Sequence, residues 1–209
     1  GKLSTADFAN TTCTLTNPGG AVDSFVLPDF NERSGDNRAT DDKIRLAESV
    51  HGVPPERARF QQMGGLEFLE GTTFEVETLP VYEIVERTPS SARFRHRTPS
   101  GMVIEREWVI RPDSFLVESA LTIRNESGQP QSHRVGLGAA EARPEALERE
   151  GGFFSSLLPP ADHLQGLCYV DESVKREHWS SLKEEAETWE SGAQWVAADR
   201  QYFVSALVL

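Results

Sequence analysis

The chain has 209 residues, a net charge of −12 and a sequence pI of about 4.9. A surface this acidic repels phosphate backbones and anionic headgroups, which argues against nucleic-acid binding and against membrane docking through a basic patch. Apolar residues make up 38% of the sequence. No window nears the roughly 18 consecutive apolar residues of a transmembrane helix, and no signal peptide is visible, so the chain reads as soluble. Cys13 and Cys168 form neither a CxxC nor a zinc spacing; they read as free structural thiols, with a disulfide left open.

In chain order, Thr11 to Thr16 is a short β-branched strand. Asn17-Pro18-Gly19-Gly20 is a turn, and Ala21 to Leu27 is the return strand of a first hairpin. Residues 31–42 read as a loop, and Lys43 to Val50, with Ile44 and Ala47 three apart, as a short helix. Four strands are expected at Thr72 to Thr78, Val81 to Arg87, Ala92 to Arg97 and Met102 to Ile110, with a tight turn at Thr98-Pro99-Ser100-Gly101. After a turn at Arg111 to Ser114, alternation places Phe115, Val117, Ser119, Leu121 and Ile123 on one face of a strand, and Gln131 to Gly138 continues the meander. Residues 139–150 are charged and helix-prone around one proline. Gly166 to Val170 and His178 to Leu182 are short strand candidates, and Lys183 to Glu190 is an acidic loop or helical turn. Gly192 to Leu209 closes the chain as an apolar hairpin around Asp199-Arg200-Gln201. Many short strands without βα alternation predict an all-β sandwich of antiparallel sheets with short helical excursions. Its expected core holds Trp108, Phe115, Val117, Leu121, Trp195, Val196, Tyr202 and Phe203, and Trp195→Ala would then cost about 3–5 kcal/mol.

No catalytic constellation emerges. The five histidines, His51, His96, His133, His163 and His178, lack HxH, HxxxH and HExxH spacings, so neither a metal site nor a cofactor is expected. Glu105 and Glu107 share a strand face, as a pair of glycosidase carboxylates might, but with Ile104, Arg106 and Trp108 they read as the solvated side of an alternating strand. Gly19-Gly20 and Gly64-Gly65 precede no convincing helix and read as turn chemistry. The candidate partner-binding surface is the stretch from Gly151 to Ser191. It combines the aromatics Phe153, Phe154, Trp179 and Trp189 with the acids Glu184, Glu185 and Glu187. Exposed aromatics anchor interfaces, and nearby charges tune association.

Three blocks resemble the periplasmic domain of YidC-type membrane protein insertases: LTNPGGAVDSFVLPDF from Leu15, SGMVIEREWVIRPDSFLVESALTIRNESGQP from Ser100, and GLCYVDESVKREHW followed by WESGAQWVAADRQYFVSALVL. The resemblance implies a galactose-mutarotase-like β-supersandwich, with residues 1–209 as a single domain and a fragment of a longer membrane protein. That domain faces the periplasm at the bacterial inner membrane. It implies a non-enzymatic part of a machine that helps membrane proteins insert and fold, alone or with the Sec translocon. Its partners would be accessory translocon subunits and nascent membrane proteins, with a cleft open to extended polypeptide. Two other classes stay open. One is a sugar-binding sandwich. The other is an aldose-epimerase-like enzyme, in which His96 or His133 would pair with a second histidine and a glutamate.

Overall fold

Fourteen antiparallel strands are found in a computed structural model that describes residues 2–4, 11–33, 39–49, 62–111, 114–139, 164–178, 181–182, 192–200 and 203–209. The first sheet has the order β1-β2-β3-β4 and is built from Lys2–Ser4, Thr12–Thr16, Ala21–Arg33 and Ala39–Glu48. Glu83–Arg87, Ser91–Arg97, Met102–Ile110 and Val117–Asn125 form a second four-stranded meander, β6-β7-β8-β9. Gly65–Phe68 (β5) pairs with Val135–Gly138 (β10). A last sheet runs β12-β11-β13-β14, from Gln165–Val170 (β11), Ser173–His178 (β12), Trp195–Arg200 (β13) and Phe203–Val208 (β14).

The core lies between the first sheet and the β6–β9 meander. Cys13, Leu15, Val22, Phe25 and Leu27 from one side meet Tyr82, Phe94, Ile104, Trp108 and Ile110 from the other. Alternation explains the choice. β8 buries Ile104, Arg106, Trp108 and Ile110 on one face and turns Glu105 and Glu107 to the other. The β11–β14 sheet joins through β14: Phe203 meets Phe30 edge-on at 5.7 Å, and the Ser205 hydroxyl donates to the Leu46 carbonyl at 2.5 Å.

Several expectations change. Lys43 to Val50 is not helical; Ala39–Glu48 is strand β4. Phe25 pairs with Ala47 and Val26 with Arg45, so Leu46 is an extra, bulged residue. The bulge resets the phase and turns both Ile44 and Ala47 inward, which imitates helical spacing in the sequence. β3 also runs on to Arg33, into the expected loop. Thr72 to Thr78 carries strand-like alternation yet forms no ladder. It is an irregular strap that bends at Phe74 and Thr78, pinned by the buried Phe74 ring against Phe68 at 5.3 Å. Val135–Gly138 does not continue the meander beside β9 but crosses to β5. His178 ends β12 rather than opening a strand. β12 went unrecognised because its turn from β11 is Asp171-Glu172, with φ of 51° and 58°. That is a two-residue hairpin turn without the usual Asn-Gly signal.

Of the expected core, Trp108 is buried, and Val117, Leu121 and Phe203 pack against it from half-buried positions. Phe115 is 59% exposed. The Arg111 N–H donated by the end of the hairpin closes on Leu116 O at 3.1 Å, so β9 starts only at Val117 and Phe115 rides on the turn. Tyr202 lies outside the described residues. Trp195 and Val196 are half-buried, and the Trp195 ring stacks on Tyr169 at 5.9 Å with the planes 9° apart. Trp195→Ala is therefore expected to cost about 1–2 kcal/mol, below the full core value. A urea-unfolding difference above about 3 kcal/mol would show that Trp195 behaves as core. Both cysteines are buried and are not joined in a disulfide, and burial pushes the Cys13 thiol up to about 12.

Candidate functional site

The two glycine pairs read as separate turns come together around one buried side chain. Arg106 sits mid-strand on the inward face of β8, level with Phe94 on β7 and Leu121 on β9, and is only 1% exposed. Its Nη1 donates to Gly19 O at 2.9 Å and its Nη2 to Gly64 O at 2.5 Å. Two residues on, Trp108 Nε1 donates to Gly20 O at 2.8 Å, and the Arg106 guanidinium lies 5.0 Å from the Trp108 ring centre. A charge this deep is tolerated only with such partners. Burial pulls the Arg106 guanidinium down to about 10, which leaves it cationic at neutral pH, and pushes the Tyr82 phenol up to about 12. Among the described residues, the buried Arg106 Nε and Tyr82 Oη have no hydrogen-bond partner.

Glycine is required at two of these positions. Gly20 has φ +56° and lies flat on the Tyr82 ring, where a Cβ would come within 3.2 Å of it. Gly64 has φ +70°, and a Cβ there would sit 2.5 Å from the Trp108 ring. The turns are thus shaped to expose carbonyls to Arg106 and Trp108.

Above this node lies a small open cleft. One wall is β5, from Gly65 to Phe68; the other is the strap from Val76 to Pro80, with Gly19, Gln62 and Tyr82 at the end. The strap is tied at both ends. Thr73 N donates to Ser132 O at 3.0 Å, and Gly19 N to Pro80 O at 2.8 Å. Leu66, Phe68, Val76 and Leu79 make the lining apolar, and Glu67 and Glu77 make it acidic.

The opposite face of the β6–β9 meander is ionic. Glu105 accepts from Arg95 Nε at 2.7 Å and from Arg124 Nη1 at 3.0 Å, and Arg97 pairs with Glu126 at 2.6 Å. The Arg95 hydrogen bond, joined by Arg124, holds the Glu105 carboxyl below its ordinary value of 4.5. This is the solvated, cross-strand pairing expected of Glu105, not a catalytic pair with Glu107. Because the folded-state value is the lower one, this stabilisation is complete above the unfolded value and is lost as pH falls through the folded value. Acid unfolding below about pH 4.5 is expected to be less steep in Glu105→Gln. Equal slopes for the two proteins would remove Glu105 from the acid response.

Among the described residues the histidines do not converge. His96 Nδ1 lies 3.3 Å from Val81 O, and its Nε2 is 3.9 Å from Glu77. His133 packs on Phe74 at 6.4 Å. Among the described residues no group of three or more His, Cys, Asp or Glu side chains is placed to hold a metal, and no helix is long and apolar enough to cross a membrane. The sequence-derived partner residues Phe153, Phe154, Trp179, Glu184, Glu185, Glu187 and Trp189 lie outside the described residues. The Arg106 node escaped the sequence reading. Its signal was present in Ile104-Glu105-Arg106-Glu107-Trp108, where alternation puts a cation on the apolar face.

The family model described as the YidC periplasmic domain matches residues 7–209. The chain belongs to the YidC periplasmic domain family. Comparison with individually curated protein sequences gives no match. Membership agrees with the all-β antiparallel architecture expected from the three resembling blocks, and it assigns an insertase-associated domain on the periplasmic side of the membrane. The first two of those blocks meet physically: Gly19 and Gly20 of one are held by Arg106 and Trp108 of the other.

Proposed function

We propose that this YidC-family chain is a non-enzymatic, protein-binding module of a bacterial inner-membrane insertase, with residues 1–209 forming one periplasmic domain of a longer membrane protein. The match over residues 7–209 carries this reading. In it, the module helps membrane proteins insert and fold, alone or with the Sec translocon, by contacting nascent chains and accessory translocon subunits. The contact surface remains the stretch from Gly151 to Ser191, with Phe153, Phe154, Trp179 and Trp189 as anchors and Glu184, Glu185 and Glu187 as flanking charge.

The geometry supports a binding role over an epimerase-like one. His96 faces a backbone carbonyl and the strap, while His133 packs tilted against Phe74; among the described residues neither is joined by both a second histidine and a glutamate. Photoreactive probes at Trp179, Glu185 and Trp189 of the full-length insertase test the assignment. Adducts with translocon subunits or nascent chains are expected. Silent probes there, with reactive ones elsewhere on the domain, would refute the surface. Turnover of a simple hexose by the chain would refute the functional class.

A further inference from the structure

We propose that the free edge of β9 is a self-association site: a second copy of this chain lays its own β9 antiparallel beside it, about a two-fold axis at Leu121. This goes beyond the partner-binding reading above and does not depend on the surface from Gly151 to Ser191. β9 ends the β6–β9 meander. It runs for 9 residues, Val117–Asn125, and pairs with β8 without a register shift. In an antiparallel ladder, successive residues direct their N–H and C=O alternately towards and away from the neighbouring strand. Arg111 N donates to Leu116 O at 3.1 Å, just before the strand, and Glu126 N to Gly101 O at 2.9 Å, just after it. These two bonds set the phase. The even-numbered residues of β9 face β8, and Val117, Ser119, Leu121, Ile123 and Asn125 direct their backbone groups outwards. Among the described residues, no backbone group pairs with these.

An open edge templates another strand unless it is short, bulged, or guarded by proline or lysine. Other edges of this protein use such devices: β1 has 3 residues, and β4 and β6 carry register shifts. β9 is long and regular and holds neither proline nor lysine. What it holds is a self-complementary order of side chains. On its solvent face Glu118, Ala120, Thr122 and Arg124 are all exposed. A two-fold axis at Leu121 sets Glu118 opposite Arg124 of the second copy and Arg124 opposite its Glu118, with Ala120 against Thr122 between them. Both charge pairs fall at non-hydrogen-bonded positions, where facing Cα atoms approach to about 4.5 Å and side chains interact most closely. Glu118 is also bonded to Arg111, and Arg124 to Glu105, but their side chains stay 45% and 46% exposed, open to a second partner. The register overlaps the whole of both strands. Sliding it by two residues parts the charges, and in one direction brings Glu118 against Glu126 of the second copy. The contact therefore specifies both partner and register. Two edge strands bury less than a standard interface, so the association is weak in dilute solution and gains where both copies are anchored in one membrane.

The test uses the full-length insertase in its membrane, as two differently tagged copies with one added cysteine each. Mild oxidation is expected to link Ala120→Cys in one copy to Thr122→Cys in the other at least about five-fold more efficiently than Ala120→Cys to itself, because the latter pair lies diagonally, at the limit of what a disulfide spans. In the Ala120→Cys and Thr122→Cys pair, Glu118→Arg in both copies, or Arg124→Glu in both, is expected to cut the link at least about ten-fold, since like charges then face each other. Glu118→Arg in one copy with Arg124→Glu in the other is expected to restore it. Restoration separates complementarity from misfolding, because two misfolded copies do not rescue each other. A link that ignores the charge pattern, equal yields from the two cysteine pairings, or no link between copies would overturn the self-association site. A disulfide from Ala120→Cys to a different protein would give the edge to that protein and overturn it as well. The probes at Trp179, Glu185 and Trp189 judge the partner-binding surface separately.

Discussion

Arg106→Met is expected to destabilise the fold by about 3–5 kcal/mol, in the range seen when one partner of a buried charged network is removed. The methionine fills much of the space between Phe94 and Leu121 but donates to nothing. Gly19 O and Gly64 O then lose their partners inside the protein. An orphaned buried carbonyl costs about 1–3 kcal/mol, so two of them account for most of the loss. Lysine is not a rescue, because its single ammonium lacks the planar fork that reaches two carbonyls at once. The measurement is equilibrium urea unfolding of both variants. A loss below about 1 kcal/mol would mean that the two turns hold their shape without the arginine.

Trp108→Ala is expected to cost a similar amount, about 3–5 kcal/mol, by a different route. The ring is 4% exposed, and its removal leaves a cavity next to Gly64 and Ala92. It also removes the donor to Gly20 O and the aromatic face beside Arg106. Trp108→Phe keeps most of the volume and loses the indole N–H, so it separates packing from hydrogen bonding. The two sites share one network, and the Arg106→Met, Trp108→Ala double variant is expected to fall short of additivity by about 0.5–3 kcal/mol. Strict additivity would show two independent contacts rather than one node.

Much of this fold is legible in the sequence where a single physical signal acts alone. Met102–Ile110 and the closing hairpin of Trp195–Arg200 with Phe203–Val208 follow from period-two alternation between clear turns. The signal misleads where a second effect shifts its phase or imitates it. The bulge at Leu46 gives a strand the apolar spacing of a helix. The strap at Thr72 to Thr78 alternates in sequence but bends at Phe74 and Thr78, and among the described residues the ladder that defines a strand is missing. Phe115 follows the alternation of β9 yet belongs to its turn. The cleft was illegible for another reason. It is made by residues 43 and 63 positions apart, Gly19 with Gln62 and Tyr82, and no local pattern reports that meeting. Function was legible only through resemblance, because the sequence holds no spaced set of reactive side chains to recognise.

The protein-binding reading is tested most directly in the full-length insertase during synthesis of a membrane protein, with one photoreactive probe at a time. A probe at Trp179 lies in the proposed contact stretch from Gly151 to Ser191, and a probe at Thr122 lies on the ionic outer face of the meander beside Glu105. The account predicts adducts with nascent chains or translocon subunits at Trp179 and none of these at Thr122. Such adducts of equal strength at both positions, or at Thr122 alone, would contradict it.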